Sequence, residues 1–479
     1  MKVQVMSRKL IKPCKPTPNN LRNFKISYLD EIPQPMNFSV ILYYPSSGVV
    51  NEKLNQLEES LAEILPRFYP LAGRYIKENH LVNCSDQGAE YVEAQVDCTL
   101  LEHINGFEVN HDDDLNDLLP CDFYAADEIT DPLLAIQVSK FQCGGLAICV
   151  SISHRIFDGA SMVTFIDAWT SACRGDNTET ICPVFNSPLL FPSRNIVSRD
   201  SETTMKTTKT KDPNIVSRMF VFDKKAISSL RANAISSEES GKRQPSRVRV
   251  VSALIIKALA RVDQKNYGKS RGLLLSQAVN IRERTIPPLP KYSCGNFGAL
   301  SLTECTEEQC QNMEFQDFVR FLSDGIDKTL AACAHILSDH TLIETALESI
   351  SKSFMSDTNV LLFTDWTKFR FYQVDFGWGK PIWASIANSS TTNFILLMDN
   401  KGSDGIEAWI HLDKKDMHYF EQDAEIKLFK LDGENDTTLL NFDVQKLEEN
   451  EVLLAGFGEC KKRKNDGAEI WYGVQTSGG

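Results

Sequence analysis

The sequence predicts an α/β protein built from two domains, and three observations lead to that prediction. The chain has 479 residues, whereas a single domain typically contains roughly 100–200 residues. Apolar residues make up 42% of it and charged residues 24%, a balance typical of globular proteins and not of disordered or fibrous ones. Strand-like and helix-like segments alternate on both sides of one long polar stretch, which favours two α/β domains.

The first half of the chain begins with a clear strand and helix. Residues 37–46 form an apolar run that predicts a strand ended by Pro45. Residues 51–66 carry leucine and isoleucine at helical spacing, which predicts an amphipathic helix. Residues 133–153 predict two strands joined at the Gly144-Gly145 turn, and a helical pattern follows the segment HRIFDGA.

A polar stretch then divides the chain. Residues 193–214 are rich in Ser, Thr and Lys and nearly free of large apolar groups, which is typical of a linker. We therefore expect an N-terminal domain at 1–192, a linker at 193–214 and a C-terminal domain at 215–479. From about residue 445 the C-terminal part has an unusual tail.

The second half repeats the alternation. Ser246 is a suitable N-cap for a helix over the following apolar pattern, and residues 273–281 predict a buried strand. Residues 314–350 carry two helical patterns. The segments NVLLFTDW and FYQVDFG predict two strands with a short connection.

Charge and cysteine content restrict the classes of function that the chain can have. The net charge is −13, which disfavours general binding to nucleic acid or to anionic membranes. The start of the chain lacks the features of a secretory signal, so a cytoplasmic location is expected. The 13 cysteines include no C-x-x-C pair, so no metal site is predicted and the thiols are expected to be reduced.

The strongest local candidate for chemistry is His154, within Ser153-His154-Arg155-Ile156-Phe157-Asp158-Gly159. Histidine suits proton transfer near neutral pH, and this one lies where a strand ends and a glycine-containing turn begins. The alternative is a core histidine bonded to the backbone. The H-x-x-x-D spacing is weak evidence by itself, because His335 and Asp339 also match it inside a helical pattern.

Two further segments stand out. Residues 375–381, DFGWGKP, place two glycines around a tryptophan, and a structural turn is the favoured interpretation. Basic residues surround the predicted Ser246 helix, and a helix N-terminus with nearby arginine is a sound phosphate site. An exposed basic face is the equal alternative. These basic residues are Lys242, Arg243, Arg247, Arg249 and Lys257.

Taken together, these segments resemble the plant BAHD acyltransferases. The specific motifs are SHRIFDGA at 153–160 and DFGWGKP at 375–381, supported by FYPLAGR at 68–74, NIRERTIPPLP at 280–290 and DGIEAWIHLDKKDM at 404–417. They occur in the order and at the spacing of the family over roughly residues 5–445. The N-terminal half is most similar to the group of vinorine synthase and salutaridinol acetyltransferase.

The resemblance implies a fold and a reaction. We expect two chloramphenicol-acetyltransferase-like domains, each a mixed sheet with flanking helices, with an active-site channel between them. Acyl-CoA is the expected co-substrate, no cofactor is held permanently, and the partner is a hydroxylated small molecule. His154 is expected to act as general base for direct attack on the thioester, a contribution typically worth about 10²–10⁴-fold in rate. The family usually acts as a monomer.

The resemblance also implies roles for other residues. Asp158 is expected to turn away from the channel and pair with Arg282. The residues of the second motif are expected to be structural: Asp375, Gly377, Trp378 and Gly379. Three residues are expected to lie near the CoA phosphates: Ser246, Arg247 and Lys257.

The chain departs from the family at several points. Ile256 and Cys294 stand where the family commonly has Trp and Phe, and Cys294 is expected to reshape the acyl or acceptor pocket. The segment YSCGN at 292–296 lacks the YFGNC form of malonyl-transferring members, which favours a small neutral acyl group such as acetyl. We therefore expect acetylation of a plant alkaloid hydroxyl. The alternatives are a terpenoid, phenylpropanoid or amine acceptor, or a non-catalytic CoA-binding or regulatory protein.

Overall fold

The structure is a computed structural model, and it describes most of the chain. The described residues are 1–430 except 34, 48, 111–112, 127, 177–179, 195–213, 235–243, 355–356 and 388–390, together with 460–465 and 468–473. Most of the expected linker at 193–214 and the first part of the expected tail therefore lie outside the described residues. The proposed division of the chain at that linker stays a prediction.

Two six-stranded mixed sheets organise the fold. The first sheet has the order β1-β6-β7-β8-β3-β13, in which only the β6–β7 pair is parallel. Its strands are β1 (Val3–Ile11), β3 (Asn37–Tyr44), β6 (Ala89–Val96), β7 (Leu134–Lys140), β8 (Leu146–Ser153) and β13 (Trp383–Ile386). Strand β13 comes from the C-terminal half, which therefore contributes one strand to this sheet.

The second sheet belongs wholly to the C-terminal half. It has the order β11-β10-β12-β14-β15-β9, with β12 parallel to β10 and to β14. Its strands are β9 (Ile215–Phe222), β10 (Leu273–Asn280), β11 (Gly298–Cys305), β12 (Asn359–Asp365), β14 (Phe394–Asp399) and β15 (Ile406–Asp413). The expectation of two mixed sheets in an α/β fold is confirmed.

Short strands and eleven α-helices accompany the two sheets in the described residues. A small sheet is formed by β2 (Asn23–Lys25), β4 (Arg74–Ile76) and β5 (Leu81–Asn83), and a hairpin by β16 (Cys460–Asn465) and β17 (Ala468–Gly473). The helices are α1 (Val50–Ile64), α2 (Leu100–Asn110), α3 (Gly159–Arg174), α4 (Ser187–Leu190), α5 (Lys224–Asn233), α6 (Arg247–Tyr267), α7 (Glu307–Asn312), α8 (Phe315–Cys333), α9 (Thr341–Phe354), α10 (Lys414–Glu421) and α11 (Ala424–Phe429). None of the described helices is long and apolar enough to cross a membrane.

The second sheet connects the two halves because its faces belong to different cores. On β15, Ala408 and Ile410 pack with α6 in the core of the C-terminal half. Trp409, which points to the opposite face, packs with residues of the first sheet such as Trp383. Successive strand residues point to opposite faces, so one face of this sheet is buried against the N-terminal half.

Two expectations from the sequence are wrong. The segment FYQVDFG is not a strand, because the chain turns at Arg370, which has a φ of 53°, and forms a short 3-10 helix at Phe371–Gln373. The thiols of Cys305 and Cys310 are not free, because the turn between β11 and α7 brings them together as a disulfide. The predicted strand at 37–46, the helix at 51–66 and the Ser246-capped helix are confirmed as β3, α1 and α6.

Candidate active site

His154 lies immediately after β8, at the start of the turn that leads into α3. Its backbone N–H donates to the carbonyl oxygen of Met36 over 2.8 Å, which ties the turn to the start of the neighbouring strand. Asp158 is the N-cap of α3 and accepts a hydrogen bond from the Ser161 N–H at 2.8 Å. A strand end and a helix cap therefore fix the five residues that carry the H-x-x-x-D motif.

The imidazole of His154 contacts Asn296, a residue of the C-terminal half. Nδ1 of His154 lies 2.9 Å from Oδ1 of Asn296, and Nδ2 of Asn296 donates to the His154 carbonyl oxygen at 2.8 Å and to Oδ1 of Asp30 at 2.9 Å. Both partners of Nδ2 are acceptors, so Oδ1 must accept from His154. The proton of a neutral ring then lies on Nδ1, and Nε2 carries the lone pair.

Asp158 does not face the ring of His154 but forms a buried ion pair with Arg282. Its two oxygens accept from Nη1 and Nη2 of Arg282 at 2.7 and 2.8 Å, from the N–H and hydroxyl of Ser161, and from the N–H of Phe297. Burial alone would raise the pKa of the Asp158 carboxyl, but the guanidinium and these donors outweigh it and lower the pKa. The carboxylate is therefore ionised, and both of its oxygens accept hydrogen bonds from groups of the protein.

Arg282 also holds the loop that carries Asn296. Its Nε donates to the carbonyl oxygen of Ser293 at 2.9 Å, and its Nη2 donates to that of Gly295 at 3.1 Å. Ser161 accepts a hydrogen bond from the Gly295 N–H at 3.0 Å. The Asp158–Arg282 pair thus connects the His154 turn of one half to the Asn296 loop of the other.

Burial sets the protonation state of His154. It lowers the pKa of the imidazole below its usual value of 6.5, although the Asp158 carboxylate and the hydrogen bond to Asn296 oppose this effect. The ring is therefore neutral near pH 7. A neutral imidazole with a free Nε2 is the form that can accept a proton from a substrate.

An aromatic wall lies beside His154. The ring centroid of Phe38 is 4.9 Å from that of His154 and 6.2 Å from that of Trp366, which in turn lies 5.7 Å from Phe369. A Cβ atom at Gly159 would lie 2.6 Å from the Phe369 ring, so the start of α3 requires glycine here. The surroundings of the candidate base are therefore largely apolar and rigid.

The DFGWG segment is a turn, and none of its described contacts involves His154. Oδ1 of Asp375 accepts from the N–H groups of Gly377 and Gly379 at 2.7 and 3.0 Å. Both glycines have φ above 100°, a region that other residues rarely adopt. Arg174 of α3 donates to the Asp375 carbonyl oxygen.

The aromatic side chains of this turn pack on the N-terminal half. Phe376 is fully buried and meets Trp169 of α3 edge-on at 4.9 Å. Trp378 stacks on Phe376, and the ammonium of Lys53 lies 5.4 Å from the Trp378 ring. These contacts fit a structural role in joining the two halves.

The residues expected near CoA are only partly brought together. Ser246 is the N-cap of α6 and accepts from the Arg249 N–H at 3.2 Å, as expected for the start of this helix. Arg247 lies beside it, but its guanidinium donates to the Asp399 carboxylate and to the Ser403 and Gly405 carbonyl oxygens. Its charge is thus largely matched within the protein.

Lys257 lies well away from the helix start. It is ten residues further along α6 than Arg247, a separation of about 15 Å. Its ammonium pairs with Glu425 at 3.3 Å and Glu314 at 3.6 Å. The place of Lys257 near the CoA phosphates stays a prediction. Lys242 and Arg243 lie outside the described residues.

Both positions that depart from the family pattern are buried. Cys294 and Ile256 have no exposed surface, and burial raises the pKa of the Cys294 thiol to about 12. The Cys294 side chain is therefore packed inside the protein and does not line an open pocket. The residue at the candidate site that the sequence analysis missed is Asn296, two positions further on, which was noted only as the last residue of YSCGN.

Comparison with known proteins identifies the class. The sequence profile of the Transferase family matches residues 1–427, and the chain therefore belongs to this family, the BAHD acyltransferases. It is an acyl-CoA-dependent acyltransferase, and its substrates are acyl-CoA and a small-molecule acceptor.

Three relatives are similar along nearly the whole chain. A pelargonidin 3-O-(6-caffeoylglucoside) 5-O-(6-O-malonylglucoside) 4'''-malonyltransferase of Salvia splendens is 39% identical, over 90% of this chain and 100% of that protein. Vinorine synthase of Rauvolfia serpentina is 36% identical over 87% and 95%, and stemmadenine O-acetyltransferase of Catharanthus roseus is 33% identical over 88% and 96%. The crystal structure of vinorine synthase superposes with a TM-score of 0.75, covering 90% of this chain and 98% of that one.

Proposed function

We propose that this enzyme transfers acetyl from acetyl-CoA to a hydroxyl of a plant alkaloid, with His154 as general base. The observation that carries the proposal is the hydrogen bond between Nδ1 of His154 and Oδ1 of Asn296. It leaves Nε2 of a neutral ring free to accept a proton.

The proposed reaction needs no acyl-enzyme. The acceptor O–H gives its proton to Nε2 of His154 as its oxygen attacks the thioester carbonyl carbon. The tetrahedral intermediate then collapses, the C–S bond breaks, and the CoA thiolate takes the proton back from the imidazolium. Asp158 and Arg282 hold the turn and loop that carry His154 and Asn296, and they take no part in proton transfer.

A neutral acyl group is favoured by the charges around the site. A malonyl group carries a carboxylate that would need a cation. Arg282, the guanidinium bound to this loop, directs its N–H groups to Asp158, Ser161 and backbone oxygens. The similarity to a malonyltransferase makes malonyl transfer the second candidate, which a comparison of donors tests directly.

An alkaloid is favoured over other acceptors by the similarity to vinorine synthase. The aromatic wall of Phe38, Trp366 and Phe369 suits a polycyclic apolar acceptor. Terpenoid and phenylpropanoid alcohols and amines are the remaining candidates. We further propose that the CoA phosphates bind at the α6 N-terminus, and that the enzyme is a cytoplasmic monomer.

The test is CoA release from acetyl-CoA and malonyl-CoA by purified enzyme, with product masses measured by mass spectrometry. The acceptors are alkaloid alcohols, terpenoid alcohols, phenolics and amines. We expect acetylation of an alkaloid alcohol, and at most slow transfer from malonyl-CoA. A clear preference for malonyl-CoA would overturn the donor assignment. Binding of CoA without turnover of any acceptor would favour the non-catalytic alternative.

A further inference from the structure

We propose that Asp30 is a positioning residue for acyl transfer: through Asn296, it fixes the tautomer of His154. This inference rests on the proposed role of His154 as general base. It adds a residue that lies outside both sequence motifs, 124 positions before His154.

Asp30 is a fully buried carboxylate in the turn at Tyr28–Glu31. Its Oδ2 accepts from the Ser27 N–H and hydroxyl, both at 2.7 Å. Its Oδ1 accepts from the Asn296 N–H at 3.1 Å and from Nδ2 of Asn296 at 2.9 Å. All four donors are neutral groups, and no cation pairs with Asp30 among the described residues. Burial raises the pKa of the Asp30 carboxyl, and the hydrogen bonds from Ser27 and Asn296 oppose that effect. Oδ1 receives two N–H groups of Asn296 and is therefore an acceptor in either protonation state.

The carboxylate fixes the orientation of the Asn296 amide. A carboxylate only accepts hydrogen bonds, so the Asn296 atom that faces it must be the NH₂ group. The carbonyl oxygen of His154 accepts from the same nitrogen and favours the same orientation. The amide oxygen is then directed at Nδ1 of His154, and a flipped amide would instead give the ring a donor and move its proton to Nε2.

An uncharged residue at position 30 cannot satisfy the same donors. In Asp30→Asn, the new NH₂ group would face either the Ser27 N–H or the Asn296 N–H, and both of these can only donate. The second arrangement also turns a donor toward the Asn296 amide and promotes its flip. The fixed tautomer therefore depends on an acceptor-only group at this position.

The charge of Asp30 has a second consequence. His154 becomes positively charged during the reaction. Asp158, which is paired with Arg282, acts on the His154 pKa directly, and Asp30 lies behind Asn296, to which it is hydrogen-bonded. An anion behind Asn296 polarises the amide and stabilises the imidazolium. Removal of this anion would lower the pKa of His154 further. If the substitution only loosened the packing and let water reach His154, the pKa would instead rise toward 6.5.

The test uses nitrogen NMR of the histidine-labelled full-length chain, with the His154 signal identified by its loss in His154→Gln. It needs no acceptor. In the wild type we expect the Nδ1-protonated tautomer. In Asp30→Asn we expect a mixture of tautomers and a lower His154 pKa. Ser27→Ala is the matched control, because it removes one donor from Oδ2 and leaves the Asp30–Asn296 contacts intact; it should resemble the wild type.

Activity provides the second readout, as CoA release from acetyl-CoA with benzyl alcohol and the alkaloid alcohols. We expect kcat of Asp30→Asn to fall about 10- to 100-fold, which is a part of the ~10²–10⁴-fold rate acceleration that a general base supplies. The KM for acetyl-CoA should be nearly unchanged. If Asp30→Asn does not fold, Asp30→Ser is used instead, and only its tautomer is compared with the wild type, because the water that this variant admits also changes the His154 pKa.

The two proposals fail in different ways. A wild-type tautomer in the Asp30 variants would overturn the inference, as would a rise of the His154 pKa in Asp30→Asn. If His154→Gln were fully active, the general-base proposal itself would fail. If His154→Gln were inactive and the Asp30 variants fully active, only the role of Asp30 would be wrong.

Discussion

Replacement of Asp158 by asparagine should damage both the stability and the activity of the enzyme. The variant keeps the shape of the side chain but removes its charge and leaves the Arg282 guanidinium, whose side chain is 9% exposed, without an anion. Breaking a buried ion pair in this way typically costs about 3–5 kcal/mol. The new NH₂ group would also face obligate donors such as the N–H groups of Ser161 and Phe297.

The stability change is measured by urea unfolding, and activity by CoA release from acetyl-CoA. We expect a loss of about 3–5 kcal/mol and at least about 100-fold lower kcat, because His154 and Asn296 lose their fixed geometry. Asp423→Asn is the matched control. Asp423 also binds an arginine, Arg261, through two hydrogen bonds of 2.7 and 2.8 Å. In this pair, between α6 and the N-cap of α11, the arginine side chain is more exposed, 33% against 9% for Arg282.

The control should lose less stability, about 1–2 kcal/mol, and keep full activity. The double variant Asp158→Asn/Arg282→Met should be less destabilised than the sum of the single changes, by about 2–3 kcal/mol. Additive losses would refute the claim that the two residues act as one pair. Full activity of Asp158→Asn would refute the link from this pair to the site.

Three further predictions concern other parts of the chain. Gly325→Ala in α8 should destabilise the protein by about 1–3 kcal/mol in urea unfolding, because the new Cβ would lie 1.9 Å from the Thr303 hydroxyl oxygen. Gly106→Ala in α2 is the matched control: its Cβ would have no neighbouring atom within 4 Å, and the variant should be about 0.5–1 kcal/mol more stable than the wild type. Burial raises the pKa of Glu407 from 4.5 to about 8, so the folded protein holds a proton that the unfolded chain releases, and stability should fall as pH rises between these values. Glu407→Gln should remove that pH dependence and be more stable than wild type at pH 8, and an unchanged slope would contradict the assignment. Arg249→Glu should weaken CoA binding about fivefold in calorimetric titrations with little change in kcat, and unaltered binding would argue against a phosphate site at the α6 N-terminus.

The sequence predicted local structure well where apolar residues recurred at regular spacing or where a helix N-cap residue was present. Strand β3 and helix α1 followed from apolar spacing, and Ser246 followed from its place before a helical pattern. The segment FYQVDFG failed because its apolar residues alternate as in a strand, while the positive φ of Arg370 turns the chain. Local patterns do not encode that conformation for an arginine.

The candidate site was predictable only in part. His154 and Asp158 belong to one short motif, and the pair with Arg282 followed from the family resemblance. The contacts of Asn296 join residues 142 and 266 positions apart, and no local pattern indicates such a meeting. Arg247 and Lys257 were plausible phosphate ligands by charge alone, but tertiary contacts give them carboxylate partners.

The most direct test of the account is the pH dependence of CoA release from acetyl-CoA by wild type and His154→Gln. Burial lowers the pKa of His154 below 6.5, and the base works only when it is neutral. For the wild type, kcat/KM should therefore fall as pH drops through an inflection below 6.5 and stay level above it. His154→Gln should be about 10²–10⁴-fold slower and lack this inflection. A variant that kept either the wild-type rate or the same inflection would contradict the claim that His154 is the base.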